Sequence, residues 1–300
     1  MQNFTGTASR PNPNLFINGN FNVVQGVAGS IGPGTAVPTA SLGYAPLQNN
    51  WFNYSIGGNP TVAQIVGSGS TLNRLQITGA SGVTAIGIGQ RIESFNAVQL
   101  AGQTATLSFD VANSLGLPVT WTAFHPSTTA DTFGTIAFST KTQIATGTFA
   151  ATSTLTRFSA SFACPENVRR GLEIIFTVGA QTSGTWVIGN AKLELGATAT
   201  AFVSPDAASE LDKCLRAYEL TTVNIRGYTA AGEVTGTYQA YSVQKRIAPT
   251  AVFISEQEVF NVSSIIISPV NNDGFRYLLV AAVTGEASSW RTYSFSAQIP

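Results

Sequence analysis

The chain has 300 residues, 44% of them apolar and only 10% charged, and its 15 cationic and 15 anionic side chains cancel. That is long enough for a substantial core and too apolar for disorder, while the charged share is well below the ordinary value of about 25%. No Lys/Arg cluster is present to neutralise phosphates or an anionic bilayer, and no apolar run reaches the roughly 18–20 residues of a membrane helix. Nucleic-acid binding and membrane insertion are therefore not expected. The surface must be built mainly from neutral polar side chains, which suit hydrogen bonding to sugars and equally suit a packed assembly.

Residues 1–14 are polar and end in RPNPN, an extended leader in which Pro11 and Pro13 disfavour helix. The opening has neither a cationic n-region nor an apolar h-region, so a chain made in the cytoplasm without a secretory signal is expected. LFINGNF (15–21) reads as a short strand and an Asn-Gly turn, 26–50 as a long loop, and WFNYSI (51–56) as a strand. Further strands are expected at 61–66, 72–78, 83–92, 104–112, 118–125, 154–163, 171–178 and 185–195. Leu107, Phe109 and Val111 alternate with Thr106, Ser108 and Asp110, the pattern of a half-buried strand. Closely spaced short strands without helices between them indicate an antiparallel sandwich. Cys164 and Cys214 are too few for a disulfide framework and read as free, buried thiols, with a bridge as the alternative.

A helix is expected after Phe202, with Ser204 as N-cap and Pro205 in the first turn. Ala207, Leu211, Leu215 and Tyr218 follow at helical spacing, with Cys214 beside them. Acidic Asp206, Glu210 and Asp212 precede basic Lys213 and Arg216, as the helix dipole favours. A second β unit follows, with strands expected at 221–226, 234–246, 250–255, 259–267, 275–284 and 289–298. The expected organisation is a leader (1–14), a jelly-roll sandwich (15–203), a linking helix (204–220) and a smaller sandwich-like domain (221–300). The fold class is all-β.

Catalytic chemistry finds little support. His125 is the single histidine and no Gly-x-Ser-x-Gly elbow surrounds a serine, so it reads as structural. Glu93, Asp110, Asp131 and Glu173 are the carboxylates that a glycan hydrolase would have to pair, and nothing in the sequence brings them together. No residues have transition-metal spacing. The expectation is no enzyme, no metal and no cofactor. Aromatic side chains remain, since Trp and Tyr faces stack on sugar rings while Asn and Gln bond the hydroxyls. The pool is Trp51, Tyr54, Trp121, Trp186, Tyr238, Tyr241 and Trp290, with Trp51, Tyr54, Trp121, Tyr238 and Tyr241 the candidates chosen.

LELGATATAF followed by ASELDKCLRAYE resembles a recurring segment of phage tail-fibre and receptor-binding proteins, as do the LFINGNF opening, GQRIES (89–94) and VQKRIAPT (243–250). Cys214 and Arg216 are separated here by Leu215, and Ala217 stands where the family often has an aromatic. The opening is also similar to jelly-roll carbohydrate-binding modules. Such modules often hold a calcium ion, at positions matching Asn22 and Asn190; both are neutral, which argues against an ion. The resemblance implies a virion fibre component that adheres to a host-surface polysaccharide, joined through the leader to other virion proteins. It also implies a homotrimer, which would bury the helix face of Leu211, Leu215 and Tyr218 that a lone connector would leave partly exposed. A purely structural virion subunit and a glycan-cleaving tailspike are the alternatives.

Overall fold

The computed structural model describes residues 13–25, 35–37, 39, 41, 50–66, 73–134 and 140–299. Its first unit is a two-layer antiparallel sandwich of jelly-roll type. One layer has the order β1 (Thr35–Ala36), β3 (Thr61–Val66), β4 (Asn73–Thr78), β11 (Thr185–Leu195), β6 (Thr104–Asn113), β9 (Thr156–Ala163). The other runs β2 (Trp51–Ile56), β5 (Ala85–Ile92), β10 (Leu172–Val178), β7 (Val119–Pro126), β8 (Lys141–Phe149). Alternating residues of each strand fill the space between layers. Phe109 of one layer meets Phe176 of the other edge-on at 4.4 Å, and Trp121 meets Phe162 at 5.4 Å. Trp51 and Trp186 are wholly buried there.

All eight strands expected between 61 and 195 are present, with small shifts at their ends. An edge strand, β8, escaped the sequence pattern because KTQIATGTF does not alternate cleanly and contains Gly147. That glycine has a purpose: a Cβ there would stand 2.6 Å from Trp121 Nε1, so the indole lies across the bare backbone. LFINGNF is a turn and not a strand. Phe16 and Phe21 close on Trp51 at 5.2 and 4.9 Å. With the chain curled around Trp51, side chains replace the ladder: Gln90 Oε1 accepts from Ile17 N (2.7 Å), and Trp51 Nε1 donates to Ile17 O (2.9 Å). Residues 1–12 of the leader and most of the 26–50 loop lie outside the described residues.

The outer face of the second layer is also covered. Phe52 and Tyr54 lie flat over Gly89 and Gly87, where a Cβ would come within 2.5 and 2.2 Å of their rings. Beside them Glu173 accepts from Arg91 Nε (2.7 Å) and Lys141 Nζ (2.5 Å), all three side chains being nearly inaccessible. Arg91 also donates to Ile299 O (2.9 Å) and Gly134 O (2.6 Å), so the end of the chain returns to the sandwich. Burial, reinforced by the Glu173 charge, pushes the Tyr54 hydroxyl up to about 12.

The second unit has two three-stranded antiparallel layers. One is β12 (Tyr218–Thr229), β17 (Gly285–Ser296), β14 (Thr250–Phe260); the other is β13 (Val234–Ala240), β16 (Gly274–Ala281), β15 (Val262–Val270). Their small core is aromatic, with Phe275 stacked on Phe295 at 4.4 Å and Tyr277 OH bonded to Ser289 Oγ at 2.6 Å. Strand β13 ends at Ala240 rather than 246, because Ser242–Lys245 turn back to Glu219 and the helix.

Helix α2 (Ala207–Leu215) differs from expectation at both ends and in its buried face. Asp206 is the N-cap, accepting from Ser209 N at 2.9 Å, while Ser204 Oγ accepts from Asn20 Nδ2. Tyr218 starts β12 and is buried, Leu215 is half-buried, and Leu211 is 40% exposed. Glu210 and Cys214 are the residues buried on the helix. The cause is polar: the turn at 16–21 offers Asn18 N, and Glu210 Oε1 accepts from it. The proposed interface trio therefore shares no exposed face. Among the described residues no helix is long and apolar enough to cross a membrane.

Both cysteines are free and buried, and burial pushes Cys164 up to about 11 and Cys214 well above the usual thiol range. At pH 8 both should resist a thiol-titrating disulfide reagent until guanidinium is added, and rapid native reaction of either would contradict this packing. Glu173→Ala should destabilise the sandwich by about 3–5 kcal/mol, because two buried cations lose their anion. In a thermal melt that is a fall of roughly 10 °C.

Candidate functional site: a groove at the joint of the two units

The groove begins where β5 ends. Glu93 leads into α1 (Ser94–Ala97), continued by a 3-10 turn at Val98–Leu100. Ala97 and Leu100 face the core, which turns Phe95 outward, 82% exposed. Asp131 fixes this helix, accepting from Ser94 N at 2.7 Å and Ser94 Oγ at 3.1 Å. Phe95 is thus an exposed ring on a clamped support.

The clamp continues across the joint. Arg246, 8% exposed, places Nε 3.3 Å from Glu93 Oε1 and Nη2 3.3 Å from Asp131 Oδ2. Arg216, just beyond α2, donates from Nη2 to Glu93 Oε2 at 2.9 Å. Next to Arg246, Lys245 is buried and donates to Leu215 O and Glu219 Oε2, each at 2.5 Å, tying the helix end to the second unit. Burial lowers the Lys245 ammonium, and its hydrogen bond to Glu219 opposes that shift.

Between these elements lies a cleft of about 470 Å³, lined by Asn14, Asn50, Phe95, Asn96, Lys213 and Arg216 among others. A smaller hollow of about 300 Å³ adjoins it and shares Asn14 and Lys213. The larger cleft is within the usual 300–1,000 Å³ of ligand pockets. Asn14 is anchored by donating to Ala191 O (2.9 Å) and accepting from Leu193 N (3.0 Å). Asn50 Nδ2 is shielded from solvent and has no acceptor among the described residues. Asn14 thus shapes the wall, while the aromatic face of Phe95, the Asn96 side chain and two cations already engaged with Glu210 and Glu93 can receive a hydroxylated ring.

The aromatic candidates chosen from sequence are mostly elsewhere. Trp51, Tyr54 and Trp121 are buried in the sandwich and Tyr241 in the second core against Phe295, so their faces are spent on packing. Tyr238 is 53% exposed on the outer face of β13. Trp51 still matters to the groove, since it anchors the chain directly after Asn50. Phe95 is not among those candidates; the signal that points to it is the helical spacing of Ala97, Leu100 and Ala101 in ESFNAVQLAG, which turns Phe95 to the opposite side.

Of the other candidates, His125 is buried and its Nδ1 donates to Pro126 O at 2.8 Å. Glu93 and Asp131 do come together, around Arg246, whereas Asp110 pairs with Arg157 and Glu173 with Arg91 and Lys141. Asn190 donates to Asp110 Oδ2, and Asn22 Oδ1 accepts weakly from Asn73 N. Among the described residues no group of three or more His, Cys, Asp or Glu could hold a metal ion.

No family model matches the chain, and no curated protein does. Solved structures match part of it. The enzymatically active domain of bacteriophage CBA120 tailspike protein 4 is 18% identical (TM-score 0.36), covering 50% of this chain and 20% of the tailspike chain. A family 4 carbohydrate-binding module is also 18% identical (TM-score 0.40), covering 60% of this chain and 98% of the module. The family 11 module of Clostridium thermocellum, solved with a mixed-linked tetrasaccharide, is 17% identical (TM-score 0.34) over 55% of this chain and 100% of the module. Similarities of this size bear on neither family membership nor ligand.

Arg246→Ala should separate the two units thermally. Calorimetry should show one transition becoming two, with a loss of about 2–3 kcal/mol, below the figure for fully buried pairs because the carboxylates keep some solvent. An unchanged single transition would show that the joint holds without the clamp.

Proposed function

We propose that the chain is a phage virion fibre component that holds a host-surface glycan in the joint groove without cleaving it. The observation that carries the glycan reading is Phe95, exposed and rigidly supported beside Asn14, Asn50 and Asn96. A ring face with amides around it matches the alternating apolar faces and hydroxyl edges of a sugar. The virion reading is supported by the resemblance of LELGATATAF, ASELDKCLRAYE and VQKRIAPT to phage receptor-binding segments. In this reading the leader mounts the protein on other virion proteins.

Assembly as a homotrimer belongs to the same proposal, with its contact moved from α2 to the second unit. The pairing register puts Val234, Tyr238, Ile266, Leu278 and Val280 with Arg276 on one outer face of the β13/β16/β15 layer, a largely apolar surface suited to another copy.

Isothermal titration with purified host-surface polysaccharide tests the glycan reading. The wild type should bind without releasing reducing ends, and Phe95→Ala should weaken binding about tenfold, or ~1.4 kcal/mol, at unchanged melting temperature. Equal affinity of the variant would remove the groove from the account. Absence of any binding would favour a purely structural subunit, and released reducing ends would favour a glycan-cleaving spike.

A further inference from the structure

The four tryptophans are treated unequally. Trp51 and Trp186 are 0% exposed and Trp121 is 4%, whereas Trp290 is 42% exposed at the middle of the central strand β17. It stands on the outer face of the β12/β17/β14 layer, away from the aromatic core formed by Tyr293 and Phe295. The register defines its neighbours. Asn224 of β12 and Glu258 of β14 are directly opposite it on either side. Thr222 and Thr292 form the next rung, their hydroxyls 2.9 Å apart. Arg226 lies on the other side and pairs with Glu286 at 2.6 Å. Glu258 accepts from Ser288 Oγ at 2.6 Å, which holds its carboxylate along the sheet.

We propose that this open sheet face is a second saccharide surface, with Trp290 as its stacking platform and an uncharged polysaccharide chain as its ligand. The proposal relies on the glycan reading above only for the ligand class, and it shares no residue with the groove. Three features select the occupant. The face lies open along the 12-residue strand β17, so it meets the side of an extended chain rather than a chain end. Amide, hydroxyl and carboxylate groups adjoin the indole, and the register puts the exposed rings of Tyr228 and Phe260 on the same face, the combination that stacks successive pyranoses and bonds their edges. Arg226 is already neutralised by Glu286, and Glu258 adds a negative charge, so the face complements a neutral chain and repels a polyanion. The opposite side of this unit is more apolar, with Val234, Ile266, Leu278 and Val280 beside Tyr238 and Arg276, and is the better surface for protein.

Because the other tryptophans are buried, acrylamide quenching and solvent-dependent shifts of tryptophan emission report this face selectively. The full-length protein is titrated with soluble mannan, xyloglucan and mixed-linked glucan, and with alginate as the polyanion. At least one neutral polymer should shift tryptophan emission to the blue and reduce acrylamide quenching, while alginate should not. Trp290→Ala should lose the spectral response and Phe95→Ala should keep it, which separates this face from the groove. Four results would overturn the proposal: a response that survives Trp290→Ala, no response to any neutral polymer, a stronger response to alginate, or a changed light-scattering mass in Trp290→Ala. The last would make the face a protein interface.

Discussion

Arg246 holds the architecture at its weakest point. Two β units joined by a short helix would ordinarily turn against each other, because few apolar side chains are left over to bury between them. Here a nearly buried guanidinium from the second unit spans Glu93 and Asp131 of the first, and Arg216 adds a second contact to Glu93. Those same two carboxylates sit at the foot of α1, so the contact that locks the joint also fixes the orientation of Phe95. Stability and the candidate site therefore rest on one set of charges.

This use of charge explains an oddity of composition. A chain with only 15 anionic side chains places Glu173, Glu194, Glu210 and Glu219 in buried positions, each beside a lysine. Burying carboxylates is costly unless each is paired and hydrogen-bonded, and here each is. In return three of them satisfy backbone groups of irregular segments: Glu194 accepts from Thr200 N, Glu210 from Asn18 N, and, in the second unit, Glu219 from Ser242 N. Few charges remain for the surface, which is left to Thr, Ser, Asn and aromatic side chains. Such a surface recognises hydroxyls better than ions.

The strands were legible in the sequence because their burial alternates. Leu107, Phe109 and Val111 point inward and are buried as their spacing requires. What was illegible depends on contacts distant in the chain. LFINGNF looks like a strand locally, yet closure of Phe16 and Phe21 on Trp51 makes it a turn. Helix α2 looks amphipathic through Leu211 and Leu215, yet Glu210 is drawn inward by a backbone N–H 192 residues away in the chain. Trp and Tyr are residues whose size makes them core: Trp51 and Trp121 are in the sandwich interior, Tyr54 is buried on its outer face and Tyr241 in the second core. Phe95 and Trp290 became distinguishable only through exposure, which no periodicity reports.

Hydrogen exchange of the intact protein, with and without host-surface polysaccharide, tests the central claim most directly. If the joint groove is the binding site, residues 93–100 and 213–217 should gain protection together, because α1 and the end of α2 form its opposite walls. A second protected segment around Trp290 is compatible with that outcome. Protection confined to other parts of the molecule, with both walls of the groove exchanging as in the free protein, would contradict it.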